Sequence, residues 1–294
     1  MLSSKEVMEW ELTRTILRKE LTGRQIALML FDVDGVLTNE RAVPNTRLLD
    51  TLADQLNHSQ KMALVTGRSI AWLERNILNY LDLRVYKKSK KNLVAVGEHG
   101  AAHLFYNPQG EKVVGIESMF SIPKEIVKDA KNLAESEEFG EFVFFDHEKE
   151  TMVSLEARHD NVIDQEKVKE ALANISQILK SKITGGGENK YKIEASTYAV
   201  DIMDASLGKD LATKQAISWF LSLDKLAPQD GLVLAFGDNQ RDVEIGRQAR
   251  KMGYQVYYFN VGEPFKMKER ESWRFFQLPR QYSQGTQQVL SHLT

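Results

Sequence analysis

The chain has 294 residues, about twice the ~150 that one domain typically takes, and 42% of them are apolar, enough to bury a core in each of two domains. Its 39 lysines and arginines against 41 aspartates and glutamates leave a formal charge of -2, so no global field draws it to nucleic acid or to an anionic membrane. It has no cysteine, which removes disulfides, thiolate nucleophiles and cysteine-held metals, and any metal must be held by oxygen or imidazole.

The first residues mix acids and bases and lack the apolar stretch of a signal peptide or the Arg-rich, acid-poor character of a transit peptide, so the chain is read as cytoplasmic. A helix-patterned stretch, Lys5 to Leu21, is followed by the apolar run Ile26 to Phe31. With Met62 to Val65, Leu93 to Val96, Leu232 to Phe236 and Gln255 to Phe259, it predicts buried parallel strands. The longest apolar runs are far shorter than the ~20 residues of a membrane-spanning helix. The basic run Lys87 to Lys91 reads as a solvated loop, and Trp273, Phe275 and Phe276 as packing residues. Strands alternating with helix-patterned stretches mark an α/β chain.

Between the third and fourth of these strands the texture changes. Ile122 to Glu137 and Gln165 to Lys180 read as helices. Phe142 to Phe145, Met152 to Ala157, Lys190 to Ala195 and Tyr198 to Met203 read as strands, with Gly185 to Gly187 as a flexible connection. Two helices and four strands predict a separate α+β layer, placed at 118–204 and inserted between a first core part at 1–117 and a second at 205–294.

Four strand ends carry chemistry-bearing segments: Asp32-Val-Asp34-Gly35, Thr66-Gly67-Arg68, Gly97-Glu98-His99-Gly100 and Gly237-Asp238-Asn239. Ligands of open α/β sheets bind outside the carboxyl ends of the strands, so these segments are expected to converge on one site. Two carboxylates two apart suit covalent phosphoryl transfer, one as nucleophile and one to hold or release a proton, although a lone pair of acids also serves to end a strand. Thr66, Gly67 and Arg68 offer a hydroxyl, an unscreened amide and a guanidinium to phosphate oxygens. Lys209 stands before a helix, able to reach a phosphate or to offset crowded carboxylates, or simply to be solvated. Asp238 and Asp242 are oxygen ligands of the kind Mg²⁺ prefers, or a helix cap.

Together and in this order, these segments resemble the haloacid dehalogenase superfamily of phosphohydrolases and phosphotransferases. Asp32-x-Asp34-Gly35-x-Leu37-Thr38 is similar to its first motif, Thr66 to its second, Lys209 to its third, and Gly237-Asp238-x-x-x-Asp242 to its fourth. The resemblance implies a Rossmann-like doubly wound parallel sheet with an inserted α+β cap. It implies that Asp32 attacks phosphorus, that Asp34 protonates the leaving oxygen and later activates water, and that the Asp32 carboxylate, the Asp34 carbonyl and Asp238 hold Mg²⁺. It also implies that Thr66, with Gly67, and Lys209 bind the transferring phosphoryl group, with Asp242 and Asn239 in support. Arg241 departs from the Asn or Thr of many relatives, which leaves its part in that loop open.

Within the superfamily, Thr66-Gly67-Arg68, Glu98-His99-Gly100-Ala101 opening a hairpin, and the cap pattern resemble the Cof-like and trehalose- or sucrose-phosphate phosphatase branch. The implied substrate is a small phosphorylated sugar or polyol. Arg68, His99, Arg158, Lys192 and Glu194 are then candidates to face the sugar, an ordinary surface role being equally open to each. Gly100 weakens a helical metal pair of His99 and His103, and a surface or hairpin role suits them better. Two rival readings are a phosphosugar mutase similar to phosphomannomutases, against which the cap lacks an Arg-Asn-Gly-Met-like segment, and a non-catalytic protein that has kept the fold. No nucleic-acid or membrane partner is expected, and oligomeric state is not legible.

Overall fold

The computed structural model describes residues 4–21, 24–39, 41–158, 164–183, 190–196, 198–223, 231–265 and 274–293. Gly185 to Gly187 and Trp273, singled out in the sequence, lie outside the described residues. The chain divides into two compact units, Met1–Gly115 with Gly208–Thr294, and Ile116–Leu207.

In the first unit the chain runs through α1 (Ser4–Leu21), β1 (Ile26–Phe31), α2 (Thr46–Asn57) and β2 (Met62–Val65). It continues through α3 (Ile70–Leu73), a π-helical turn (Glu74–Leu78), α4 (Asn79–Asp82), β3 (Leu93–Gly97), β4 (Ala102–Tyr106) and β5 (Lys112–Ile116). All five strands expected from apolar runs are present, in parallel register with one another, because each run is buried on both faces and so shows no polar alternation. In β1, Leu28 and Leu30 pack on one side of the sheet, Met29 and Phe31 on the other. The Met29 and Phe31 side is covered by Trp10 and Leu17 of α1 and by Leu48, Leu49, Leu52 and Leu56 of α2. The amino-terminal helix therefore packs on the core. Near its end Glu20 accepts from the Tyr257 hydroxyl at 2.7 Å and pairs with Arg274 at 2.6 Å.

The second unit contains α5 (Lys124–Ala134), β6 (Val143–Phe145), β7 (Val153–Ala157), α6 (Gln165–Ile183), β8 (Tyr191–Ala195) and β9 (Ala199–Asp204). Its antiparallel sheet has the order β6-β7-β9-β8. Ala130 and Ala134 of α5 and Val168, Leu172, Ile175 and Leu179 of α6 bury one face against Val153, Leu155, Val200 and Ile202. This is a separate α+β layer with its own core.

The chain returns through α7 (Lys209–Ser222), β10 (Leu232–Gly237), α8 (Val243–Lys251), β11 (Gln255–Asn260), β12 (Arg274–Gln277) and α9 (Tyr282–Leu290). Helices α7 and α8 cover the Leu28 and Leu30 face with Ala216, Ile217, Phe220, Ile245 and Ala249. The large sheet has the order β12-β11-β10-β1-β2-β3-β4-β5, parallel as far as β3 and antiparallel at β3–β4, so helices clothe both faces of a doubly wound α/β sheet. Strand β12 is an element the apolar runs did not announce. Phe275 stacks on Tyr258 with ring centroids 5.5 Å apart and Phe276 on Phe259 at 5.2 Å, so both do pack, but as part of the sheet. The basic run forms a 3₁₀ turn, Lys87–Asn92, in which Lys87 and Lys88 are exposed while Lys90 pairs with Asp82 at 3.1 Å. Among the described residues no helix is long and apolar enough to cross a membrane.

Candidate active site

The strand order reverses at β1: from there β2 and β3 lie to one side, β10, β11 and β12 to the other. Such a switch point opens a crevice at the carboxyl ends of the adjoining strands. Phe31 pairs with Phe236, and the Asp32 amide donates to the Phe236 carbonyl at 3.0 Å, which sets Asp32 beside the loop that carries Asp238. Gly35 turns this loop with φ of 71°, a left-handed value that favours glycine. A Cβ there would also run into the Asp238 carboxylate.

Asp32 is 4% exposed, and Lys209 Nζ donates to its Oδ1, to the Val65 carbonyl at 3.0 Å, and approaches Asp242 Oδ1 at 3.4 Å. Helix α7 begins at Lys209 itself, after Gly208 in extended conformation, so the ammonium leaves the first residue of the helix. Oxygens of Asp32, Asp238 and Asp242 lie within 4.8 Å of one another. Burial and then the Asp242 charge push the Asp32 carboxyl well above its ordinary value, and the same two causes, in the same order, push Asp238 up to about 7. Burial acts to lower the Lys209 ammonium, but the charges of Asp32 and Asp242 outweigh it and hold the group well above its usual range. An all-oxygen donor set whose charges crowd in this way fits a hard cation such as Mg²⁺. Asp32, Asp238 and Asp242 are close enough together that their carboxylates could hold one.

Asp242 is engaged in the loop itself. Its Oδ2 accepts from the amides of Asp238 at 3.1 Å and Asn239 at 3.3 Å, and the Asn239 side chain accepts from the Arg241 amide at 2.8 Å. Asn239, not Asp238, therefore caps the 3₁₀ turn Gln240–Asp242 that leads into α8, in reciprocal arrangement with Asp242, which itself stands at the cap position of α8 without a side-chain cap bond. The Arg241 side chain is exposed.

Asp34 turns away from burial and receives three contacts from Arg68, Nε to its two oxygens at 3.2 and 3.0 Å and Nη2 to Oδ1 at 3.1 Å. Thr66 is buried, and its Oγ1 accepts from the Arg68 amide at 3.1 Å. The following turn explains how these pieces stay in register. Glu98 and His99 both adopt left-handed backbone, with φ of 46° and 56°. In that form the Glu98 amide donates to Arg68 O at 3.0 Å, the His99 amide to Thr66 O at 3.0 Å, and the Gly208 amide to His99 O at 2.9 Å. The turn thus joins the Thr66–Arg68 loop to the start of α7. The His99 ring covers Gly67, where a Cβ would come within 2.6 Å of Nε2. His103 lies on β4, its ring stacked beside Phe105 at 5.8 Å.

Asp32, Asp34, Thr66, Gly67, Arg68, His99, Lys209, Asp238, Asn239 and Asp242 all belong to the first unit, and the structure gathers them at the carboxyl ends of β1, β2, β3 and β10 and the start of α7. Lys192 and Glu194 belong to the second unit. There they pair at 3.1 Å, and Lys192 also donates to the Leu207 carbonyl at 2.5 Å. Arg158, in the same unit, donates to the carbonyls of Gly140 at 3.1 Å and Val143 at 3.3 Å. A fifth strand end also takes part, which the sequence reading left out. The Val261 amide donates to Gly237 O at 2.9 Å, and Gly262 packs so closely on the Asp238 carbonyl that no Cβ fits. Asn260-Val261-Gly262 after a buried strand was the available signal. Beneath the acids lies Tyr258, whose phenol is pushed well up by burial first and then by Asp242.

No protein-family model matches the chain, and no curated protein matches it in sequence. Among solved structures, a haloacid dehalogenase-like hydrolase from Bacteroides thetaiotaomicron superposes with a TM-score of 0.61 at 14% identity, over 92% of this chain and 100% of that one. The chain has the haloacid dehalogenase fold. Trehalose-6-phosphate phosphatase of Aspergillus fumigatus shares this fold with a TM-score of 0.51 at 17% identity, over 96% of this chain and 98% of its own. A C-terminally truncated IMP-nucleotidase of Plasmodium falciparum shares it at 0.56 and 14% identity, over 97% and 75%. The haloacid dehalogenase fold accounts for the doubly wound sheet and for the inserted antiparallel layer of the second unit.

Proposed function

We propose that this chain is a Mg²⁺-dependent phosphomonoester hydrolase acting on a small phosphorylated sugar or polyol through an aspartyl-phosphate, with the second unit as its cap. The observation that carries the reading is the buried Asp32 carboxylate in the grip of Lys209, ringed by Asp238 and Asp242 at the sheet's switch point. The phosphatase and nucleotidase that share the fold support it, and both are named for phosphomonoester substrates.

A carboxylate oxygen of Asp32 attacks phosphorus, and the bond from phosphorus to the leaving oxygen breaks. Asp34 gives its proton to that oxygen. Asp34 then takes a proton from water, whose oxygen attacks phosphorus and breaks the bond to Asp32, releasing inorganic phosphate and restoring both carboxyl groups. Lys209 and the Thr66 hydroxyl, with the Gly67 amide, bind the phosphoryl oxygens as charge shifts among them. Asp242 holds the Asp238 loop and Lys209 in place. Asp32, the Asp34 carbonyl and Asp238 would hold Mg²⁺, which when bound supplies neutralisation of phosphoryl charge.

Phosphate release from a panel of hexose, disaccharide and polyol phosphates and IMP tests this, with Mg²⁺ or chelator and with Asp32→Asn alongside. Turnover of sugar phosphates that chelation and the substitution both abolish is the expected result. Preference for IMP would move the substrate class to nucleotides. Isomerisation of a phosphosugar without phosphate release would overturn the hydrolase reading in favour of a mutase.

A further inference from the structure

We propose that Arg68 is a positioning residue for the acid/base carboxylate: its guanidinium fork sets the orientation in which Asp34 meets the leaving oxygen. The inference rests on the hydrolase reading above. Both Asp34 oxygens are engaged by Nε and Nη2 at 3.0 to 3.2 Å, the planar two-point match that arginine makes with a carboxylate and lysine cannot. The fork is itself held from behind. Its Cζ lies 4.9 Å from the centre of the Trp72 ring, and Trp72 sits in a helical turn capped by Ser69, whose Oγ accepts the Trp72 amide at 3.0 Å. The Arg68 main chain is fixed at both ends, its amide to Thr66 Oγ1 and its carbonyl to the Glu98 amide.

Stability does not explain this arrangement. The Asp34 side chain is 43% exposed, and an ion pair so open to solvent contributes little to folding. Orientation does explain it, because a planar fork that meets both oxygens fixes the plane and the direction of the carboxylate, which a single point contact would leave free to turn. A proton donor swung from its leaving atom loses catalytic effect steeply.

The test is a double-mutant cycle on the Mg²⁺-loaded full chain with two substrates. p-Nitrophenyl phosphate has a leaving group that needs no proton, whereas glucose 6-phosphate has one that does. Arg68→Met should lower kcat on glucose 6-phosphate at least about tenfold more than on p-nitrophenyl phosphate, with KM changed by less than about threefold and Arg68→Lys intermediate. In the Asp34→Asn background Arg68→Met should cost nothing further, since a residue acting through Asp34 has nothing left to act on. Thermal melts of all four proteins show whether each is folded, and Arg68→Lys keeps the cycle readable should the Met variant unfold. Losses that multiply, or a KM raised equally for both substrates, would overturn the proposal and make Arg68 a direct phosphate ligand. Wild type inactive on every phosphomonoester overturns the hydrolase reading and takes this inference with it, whereas active wild type with multiplying losses sinks the inference alone.

Discussion

Asp32 and Asp34 stand two residues apart in one loop yet occupy opposite electrostatic settings. Asp32 is buried, shares Lys209 with Asp242, and has its carboxyl driven up by desolvation and crowding. Asp34 is half-exposed and meets a separate cation, Arg68. The difference teaches that spacing alone assigns no roles. In the proposed mechanism attack falls to the side chain buried at the sheet's switch point and proton transfer to the one that reaches water, although the backbone around both is buried, with Val33, Val36 and Leu37 fully covered. A buried charge depends on its partner far more strongly than an exposed one does.

That contrast can be broken most severely at Asp32. Asp32→Asn should abolish phosphate release, because a carboxamide forms no acyl-phosphate. The variant should remain folded, since its carbonyl oxygen still accepts from Lys209; a melt and a phosphate assay together check both. Next in size, Lys209→Met leaves Asp32 and Asp242 buried without their cation, and urea unfolding should show a loss of about 3–5 kcal/mol. A loss under about 1 kcal/mol would show that the acids simply take up protons. At the open end, Asp34→Asn should lower kcat on alkyl phosphates about 10²–10⁴-fold while its urea midpoint stays nearly that of wild type. Equal stability losses at Lys209 and Asp34 would erase the contrast.

The smallest expected effect is a pH dependence. Asp238 has its carboxyl raised to about 7 from an ordinary 3.8, so between those values the folded protein keeps a proton that the unfolded chain has released. Stability of the metal-free protein from this group therefore falls as pH rises from about 4 to about 7, and the upward shift of Asp32 acts in the same direction. Melting in chelator should give a lower Tm at pH 8 than at pH 5. Added Mg²⁺ should raise Tm more at pH 8, where the carboxylates are ionised to receive it. A metal-free Tm that climbs toward pH 8 would contradict the crowding of the acids.

Much of this contrast is legible in the chain before folding, and its legible parts share a physical cause. Ile26–Phe31 and Leu232–Gly237 are buried on both faces, so uninterrupted apolar runs announce them, and the acids just past each run announce the strand ends. Asn239 is recognisable as a cap residue by type, but its pairing with Asp242 in place of an Asp238 cap emerges only from hydrogen bonding in the folded loop. Strand β12 escapes because it is only four residues long and borders solvent at the sheet edge, where Arg274 and Gln277 break the apolar pattern. The hairpin expected at Glu98-His99-Gly100-Ala101 is present, with β3 and β4 antiparallel, but two successive left-handed residues escape a reading by type because glutamate gives no sign of positive φ and histidine only a weak one.

Residue identity and order were enough to establish which groups stand at the strand ends and that they are oxygen donors, a lysine, an arginine and a hydroxyl, because periodicity and side-chain chemistry are local properties. Which cation serves which acid was decided only by tertiary structure. Lys209 comes from 177 residues downstream to reach Asp32, and Arg68 from 34 downstream to reach Asp34. Gly262 closes on the Asp238 carbonyl from a fifth strand end. Separations of that size are spanned by sheet order and helix packing, and it is the resulting burial, not the motif, that sets one carboxylate deep among like charges and leaves its neighbour at the edge of water.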